Sequence, residues 1–415
     1  MLPSDASGAP APVVMVLSDY YLPGFKGGGP IRTLANLGER LGSELSIRLV
    51  TRDRDLGERA PYPGISTVGW QRLGKVQVAY RRAALLHPLR LRRLITNTPC
   101  EVLYLNSLFS PPFTIQALLL RWLGLLPRVR TVLAPRGELA REALARKWLK
   151  KRVYLTLTRA MGLYRGVVWQ ACSEYEAEDI RREFGGKVEI VVAPDLSAEA
   201  GEESPLRARV KEPGSLRLVY LSRVVPQKNL LGAIEALQGM RGPVRLDVYG
   251  PLQDPAYWRR CQAAAARLPA GVEVRYHGAV PRDHVPAMLG DYDFLLFPTL
   301  GESFGHVVLE SLLAGVPVLV SDRTPWRGLA GTGAGWDLPL DRPAAWTEVL
   351  ELCQQCDHAT WSHWSSRARH LGREYARDTD VLSRNLALLR ATGPAAAAAP
   401  KVRSGGRQPV PRSAA

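Results

Sequence analysis

A chain of 415 residues is too long for one hydrophobic core and suits two domains. Its 46% hydrophobic and 23% charged residues are those of an ordinary globular protein, which excludes a disordered, fibrous or coiled-coil chain. Lys and Arg number 55 against 39 Asp and Glu, a formal net charge of +16, so the surface should draw anions: nucleotides, nucleic acid, phosphorylated sugars or an acidic membrane face.

Residues 1–12 carry no basic residue, and the apolar run 13–17 that follows is too short for a signal peptide and reads as a first strand. The apolar stretch 113–126 is interrupted by Arg121 and stops at Pro127, short of the roughly 20 residues a bilayer requires, so no membrane span is expected. The five cysteines (Cys100, Cys172, Cys261, Cys353, Cys356) are odd in number and scattered, which favours a reducing, cytoplasmic setting over a disulfide framework.

Short β-rich apolar runs alternate with longer helical patterns, at 13–18, 47–51, 102–106, 129–134 and 167–171. Such alternation predicts a parallel sheet with crossover helices. The pattern restarts at 216–222, 246–250, 272–277, 294–298 and 316–321, giving a second α/β half. The expected domains are therefore 1–200 and 216–375, joined by a polar linker at 201–215. A C-terminal helix should occupy 376–392, and the Ala, Pro, Gly and Arg-rich tail 393–415 is expected to be disordered. In open α/β sheets ligands bind beyond the carboxyl ends of the strands, so functional residues should lie in strand-end loops facing one cleft.

The first such loop reads Pro23-Gly24-Phe25-Lys26-Gly27-Gly28-Gly29-Pro30 and opens into a helix over 31–41. Glycines there let backbone N–H groups approach a phosphate; equally, they suit a tight turn with proline at the first helical position. Arg32 stands where the dinucleotide fingerprint needs a third glycine or alanine, and no Lys-Ser/Thr follows as in a P-loop. The first loop of the second half carries Arg223 and Lys228 before a helix over 230–237. A planar fork and a point charge flanking that turn can neutralise a diphosphate, although two cations in a solvated loop need no function.

The most informative stretch runs from Phe297 to Glu310: a strand ends, a loop follows, and a helix begins near Gly305. Glu302 in the loop and Glu310 in the helix can both face the cleft and accept hydrogen bonds from sugar hydroxyls. The N–H groups of Ser303, Phe304 and Gly305, free at a helix start, can donate. Glu302 alone could be an N-terminal charge on the helix dipole, but that leaves Glu310, in an otherwise apolar helix, without a role.

The order of a Gly-rich loop, Ser222-Arg223 with Lys228, and Glu302 followed by Glu310 resembles the retaining GT-B nucleotide-sugar glycosyltransferases of family 4, also called glycosyltransferase group 1. The likeness extends over most of residues 13–390 and includes Pro135-Arg136-Gly137-Glu138, Ser173-Glu174-Tyr175-Glu176, Tyr249-Gly250-Pro251 and His277-Gly278. It implies an α/β GT-B architecture: two Rossmann-like, doubly wound domains facing across a cleft, the first binding the acceptor, the second the donor, and the C-terminal helix packing back on the first.

The implied activity is metal-independent transfer of a hexose, with retained configuration, from a nucleotide-diphospho-sugar to a glycan or lipid-linked acceptor. Such chemistry serves the assembly of cell-surface polysaccharide: exopolysaccharide, capsule or lipopolysaccharide. Arg223 and Lys228 would hold the pyrophosphate, Glu310 the ribose, and Glu302 with the N–H groups of Ser303, Phe304 and Gly305 the hexose. Backbone up to Val280 would meet the nucleobase, and Gly28 and Gly29 would cap the phosphates. Arg223, Lys228 and Glu302 are the catalytic candidates. Where many relatives have His-Gly, this chain has Arg136-Gly137, which makes Arg136 a candidate contact to acceptor or donor. No cofactor is implied, the nucleotide-sugar being a co-substrate.

Residues 139–161 combine Arg141, Arg146, Lys147, Lys150, Lys151 and Arg152 with aromatic and aliphatic side chains, and 80–94 add further arginines. A helix of this kind suits peripheral contact with an anionic inner membrane face, or else a core-facing stripe with a solvated basic side. Cys353, Cys356, His358 and His363 meet zinc spacing only by half, and Asp291-Tyr292-Asp293 reads as a helix-to-strand turn, so no metal is expected. A nucleotide-sugar 2-epimerase shares the architecture without requiring this residue set. A nucleic-acid-binding protein would account for the charge, but no recognised module is present and no nucleic-acid partner is expected.

Overall fold

The computed structural model describes residues 11–82, 86–145, 147–198 and 210–390. The expected linker 201–215 falls outside the described residues as far as residue 209, and the tail 393–415 lies wholly outside them.

The first half forms an eight-stranded sheet. Its strands are β1 (Val13–Ser18), β2 (Ser46–Arg52), β3 (Gln71–Leu73), β4 (Val76–Arg81), β5 (Val102–Asn106), β6 (Arg130–Ala134), β7 (Val167–Ala171) and β8 (Glu189–Val192). Their order is β3-β4-β2-β1-β5-β6-β7-β8, parallel except for the edge pair β3–β4. The second half forms a parallel sheet of β9 (Leu216–Leu221), β10 (Val244–Tyr249), β11 (Val272–Gly278), β12 (Phe294–Phe297), β13 (Val318–Ser321) and β14 (Gly335–Leu338). The order there is β11-β10-β9-β12-β13-β14. These are the two doubly wound α/β units that the alternation predicts.

Central strands are legible because parallel strands buried on both faces read as unbroken apolar runs. All five residues of β5 and of β7 are buried. Alternation then divides the first domain's core in two. Met15 and Leu17 face the helices Pro88–Thr96, Gln116–Trp122 and Trp148–Ala160, while Val14 and Val16 face the helix Gly29–Leu41. Four strands escape the sequence reading. β3 and β4 form a hairpin whose Gln71, Arg72, Lys75 and Gln77 break its apolar pattern, and β8 and β14 are four-residue sheet edges. Of the arginines in 80–94, Arg81 ends β4 and Arg90, Arg92 and Arg93 lie on the helix Pro88–Thr96.

The single helix expected over 139–161 is two helices, Arg141–Ala145 and Trp148–Ala160. Lys147 has φ 56°, a left-handed conformation that an α-helix cannot run through. At the other end, helices His358–Arg377 and Thr379–Leu389 meet at Asp378, whose carboxylate accepts from the Asp380 N–H. Val381, Leu388 and Leu389 of the helix Thr379–Leu389 are buried in the first domain's core. Each such side chain contributes about 1.5–3 kcal/mol, so the helix Thr379–Leu389 fastens the second half to the first.

Candidate active site

Both sheets reverse their winding at the strand that begins them. In the first, β1 lies between β2 and β5; in the second, β9 lies between β10 and β12. A crevice opens where strand order reverses. The loops after β1, β5, β9 and β12 all line one cleft of about 780 Å³ between the domains, where Ser18, Asn106, Ser222 and Gly301 meet its walls.

On the C-terminal wall, the loops after β9 and β12 are knitted together. The Leu300 N–H donates to the Gln227 carbonyl at 2.9 Å, and Asn229 Nδ2 to the Pro298 carbonyl at 2.8 Å. That splice brings the Lys228 ammonium onto the Glu302 carboxylate, with side chains only 11% and 12% exposed. Burial pulls the Lys228 ammonium below its ordinary pKa, and Glu302 opposes this. Arg223 lines the same wall and reaches Gln253 at 3.4 Å.

The helix His306–Leu313 starts from Gly305, at φ 84°, with its N-terminus on the cleft. Phe304 turns its ring inward against Trp326 and Tyr375, and its carbonyl accepts from Trp326 Nε1 at 2.7 Å. What Phe304 presents to the cleft is therefore largely backbone. Ser303, Val280 and Gly305 also line it.

The N-terminal wall reaches across. Gly28, at φ 71°, packs so close to Arg223 that a Cβ there would lie 3.6 Å from the guanidinium Nε. Gly29 faces His306 in the same way. One turn into the helix Gly29–Leu41, Arg32 forms an ion pair with Glu310. Glu310 is thus held by a protein cation rather than opening on the cleft, whose lining includes Arg32 and Glu302 but not Glu310. Thr33 Oγ1 donates to Asp195 at 2.7 Å and lies 2.9 Å from His306 Nε2.

Asp195 is the centre of this junction. Burial alone would push its carboxyl up, yet the Arg136 guanidinium and His306 together hold it well below the usual carboxylate range. Arg136 is itself engaged throughout: Nε donates to Asn106 at 2.8 Å, and its other nitrogens meet Asp195, Tyr104 and Cys172. The side chain lines the cleft but is 4% exposed, so its hydrogen bonds go to the protein. Beneath it, Glu138 accepts from the N–H groups of Leu108 and Phe109, and Glu176 from those of Gly137 and Cys172. Burial raises both carboxyls. They brace the loops that form the cleft floor.

Of the residues singled out from sequence, Gly28, Gly29, Arg136, Arg223, Lys228, Val280, Glu302, Ser303, Phe304 and Gly305 line one cleft. Glu310 lies behind Arg32. Sequence reading assigned no role to Arg32, Thr33, Asp195 or His306. His306 lies within the stretch 297–310, and Asp195 follows an apolar run, 190–193, that marks the end of β8.

Residues 205–351 match the family model described as glycosyl transferases group 1. Among curated proteins the chain is 27% identical over 142 residues to O-antigen chain mannosyltransferase B of Escherichia coli, a match covering 33% of this chain and 36% of that protein. Among solved structures it resembles the sucrose-phosphate synthase of Thermosynechococcus elongatus at a TM-score of 0.72 and 15% identity, over 91% of this chain and 98% of that one. It also resembles Anabaena Alr3699/HepE, solved with UDP and glucose, at a TM-score of 0.64 and 16% identity, over 91% and 98%. The sequence match thus spans about a third of the curated relative's length, whereas the structural likeness runs through both domains. Residues 205–351 are thus similar to the glycosyl transferases group 1, and the two domains together have the GT-B fold.

Proposed function

We propose that the chain is a retaining, metal-independent glycosyltransferase that moves a hexose from a nucleotide-diphospho-sugar to a glycan or lipid-linked acceptor in cell-surface polysaccharide assembly. In this reading residues 216–375 bind the donor, residues 1–200 the acceptor, and the enzyme works on the cytoplasmic side of the cell membrane. The observation that carries it is the buried Lys228–Glu302 pair beside Arg223, at the switch point of the second sheet. The similarity to a mannosyltransferase of O-antigen chains and to a structure solved with UDP and glucose supports a nucleotide-sugar donor.

The chemistry follows from the charges. The bond between the sugar's anomeric carbon and the diphosphate breaks, the acceptor oxygen bonds to that carbon, and the acceptor proton passes to a departing phosphate oxygen. Arg223 and Lys228 neutralise the charge that develops on the diphosphate. Glu302, held by Lys228, accepts from hexose hydroxyls while the N–H groups of residues 303–305 donate. Glu310 receives the ribose once Arg32 releases it, and the Gly28–Gly29 backbone closes over the phosphates, keeping water from the donor.

The test is a thermal-shift panel with UDP-, GDP-, ADP- and dTDP-sugars, since a ligand of the folded state alone must raise its stability. Stabilisation by one nucleotide-sugar, lost in Lys228→Ala, is expected. Equal responses of wild type and variant would remove the site assignment. Product configuration, read by NMR, tests retention.

A further inference from the structure

The helix Trp148–Ala160 buries only Leu155 and Thr158. Along one side, spaced four residues apart, Leu149, Val153, Leu157 and Met161 are 60%, 50%, 57% and 41% exposed. Four-residue spacing places them in one stripe, where an apolar row normally faces a core. The stripe continues onto the neighbouring helix Gln116–Trp122: Trp122 Nε1 donates to the Met161 carbonyl at 2.9 Å, and Trp122, Leu123 and Leu125 are exposed. A third element joins through Arg92, whose Nε donates to the Leu125 carbonyl at 3.1 Å, bringing in the helix Pro88–Thr96 and its exposed Leu89.

The charges that the segments of this surface carry are of one sign. Segments 88–97, 116–130 and 147–166 contain no Asp or Glu, while Lys150, Arg152 and Arg159 flank the stripe and Arg90, Arg92 and Arg93 lie on the third helix. Exposed apolar area explains little unless something covers it. A second copy of the chain would bring two acid-free cationic faces together. A nucleic acid would satisfy the charge and leave the leucines wet. An anionic bilayer surface satisfies both at once, the leucines and tryptophans entering the headgroup boundary and the lysines and arginines meeting lipid phosphates. No described helix is long and apolar enough to cross a membrane, as befits a face that lies on one.

We propose that the face formed by the helices Trp148–Ala160, Gln116–Trp122 and Pro88–Thr96 docks on an anionic lipid bilayer. The same helix delivers Lys151 to the cleft, near the aromatic ring of Phe109. Docking therefore sets the cleft mouth close to the bilayer, where a lipid-linked acceptor would present its headgroup. That link to the acceptor rests on the transfer reading; the docking does not.

The full chain is tested by co-sedimentation with phosphatidylglycerol and with phosphatidylcholine vesicles, alongside the thermal shift with UDP-glucose. Wild type should partition onto phosphatidylglycerol at least about 10-fold more strongly than onto phosphatidylcholine, and added salt should weaken it. The variant Leu149→Gln/Leu157→Gln, altered only at exposed positions, should lose about 10-fold in partitioning with its nucleotide-sugar response unchanged. Brominated lipids should quench tryptophan emission of the wild type. Vesicle binding equal in variant and wild type, absence of quenching, or a dimer that the double substitution dissociates would each overturn the docking. Vesicle binding without any nucleotide-sugar response would keep the docking and remove the transfer reading.

Discussion

Arg32 of the first domain holds Glu310 of the second in an ion pair across the cleft, joining residues 278 positions apart in the chain. If Glu310 is the ribose ligand, the donor and Arg32 compete for one carboxylate, and the pair acts as a latch that a bound nucleotide replaces.

Arg32→Ala is expected to tighten nucleotide-sugar binding severalfold, about 1 kcal/mol, because the displaced pair is partly solvated and worth no more than that. Titration calorimetry checks it. Unchanged or weaker binding would show that Arg32 does not compete with the donor.

Lys228→Met leaves the nearly buried Glu302 carboxylate without its ion-pair partner. Stability should fall by about 2 kcal/mol and turnover by a factor of about 10² to 10³. Adding Glu302→Gln removes the stranded charge, so the double variant should recover stability without recovering turnover. Denaturant titration and a transfer assay separate the two effects; recovery of both would reduce the pair to a structural one.

Asp195 makes the junction sensitive to acid. Its folded pKa lies below the ordinary 3.8, so its stabilising contribution is complete above 3.8 and is lost as pH falls from there toward the folded value. Wild type should therefore lose stability more steeply below 3.8 than Asp195→Asn, which has no such proton to take up. Parallel acid limbs in the two proteins would contradict this.

Two glycines should separate site from scaffold. At Gly250, φ 135°, a Cβ would lie 1.9 Å from the Ser222 carbonyl oxygen, and Gly250→Ala should cost about 3 kcal/mol or more. At Gly28, φ 71° and ψ −135°, the nearest atom to a Cβ is Arg223 Nε at 3.6 Å, so Gly28→Ala meets no clash but backbone strain of about 1–3 kcal/mol. Its larger effect should be on the KM for the nucleotide-sugar, measured beside denaturant stability.

The two α/β halves are legible in the amino-acid pattern alone, because strands such as β5 and β7, buried on both faces, must be apolar throughout. So are the loops that reach the cleft, since glycines, paired cations and the carboxylate Glu302 at strand ends are local patterns. The three-residue β3 and the short edges β8 and β14 were not legible, their exposed or brief segments leaving no periodicity, and β4, though mostly buried, is interrupted by Gln77 and adjoins Lys75. Neither was the break at Lys147, which is a single left-handed residue amid helix-forming neighbours.

How the halves meet depends on long-range packing. Nothing local in Pro194-Asp195 or Gly305-His306 indicates that Asp195 joins Arg136, Thr33 and His306 in one buried junction. Nothing in Arg32 marks Glu310 as its partner. Periodicity and turn chemistry act over a few residues, whereas these contacts exist only after both sheets have wound in opposite directions from β1 and β9 and turned their strand ends toward one another.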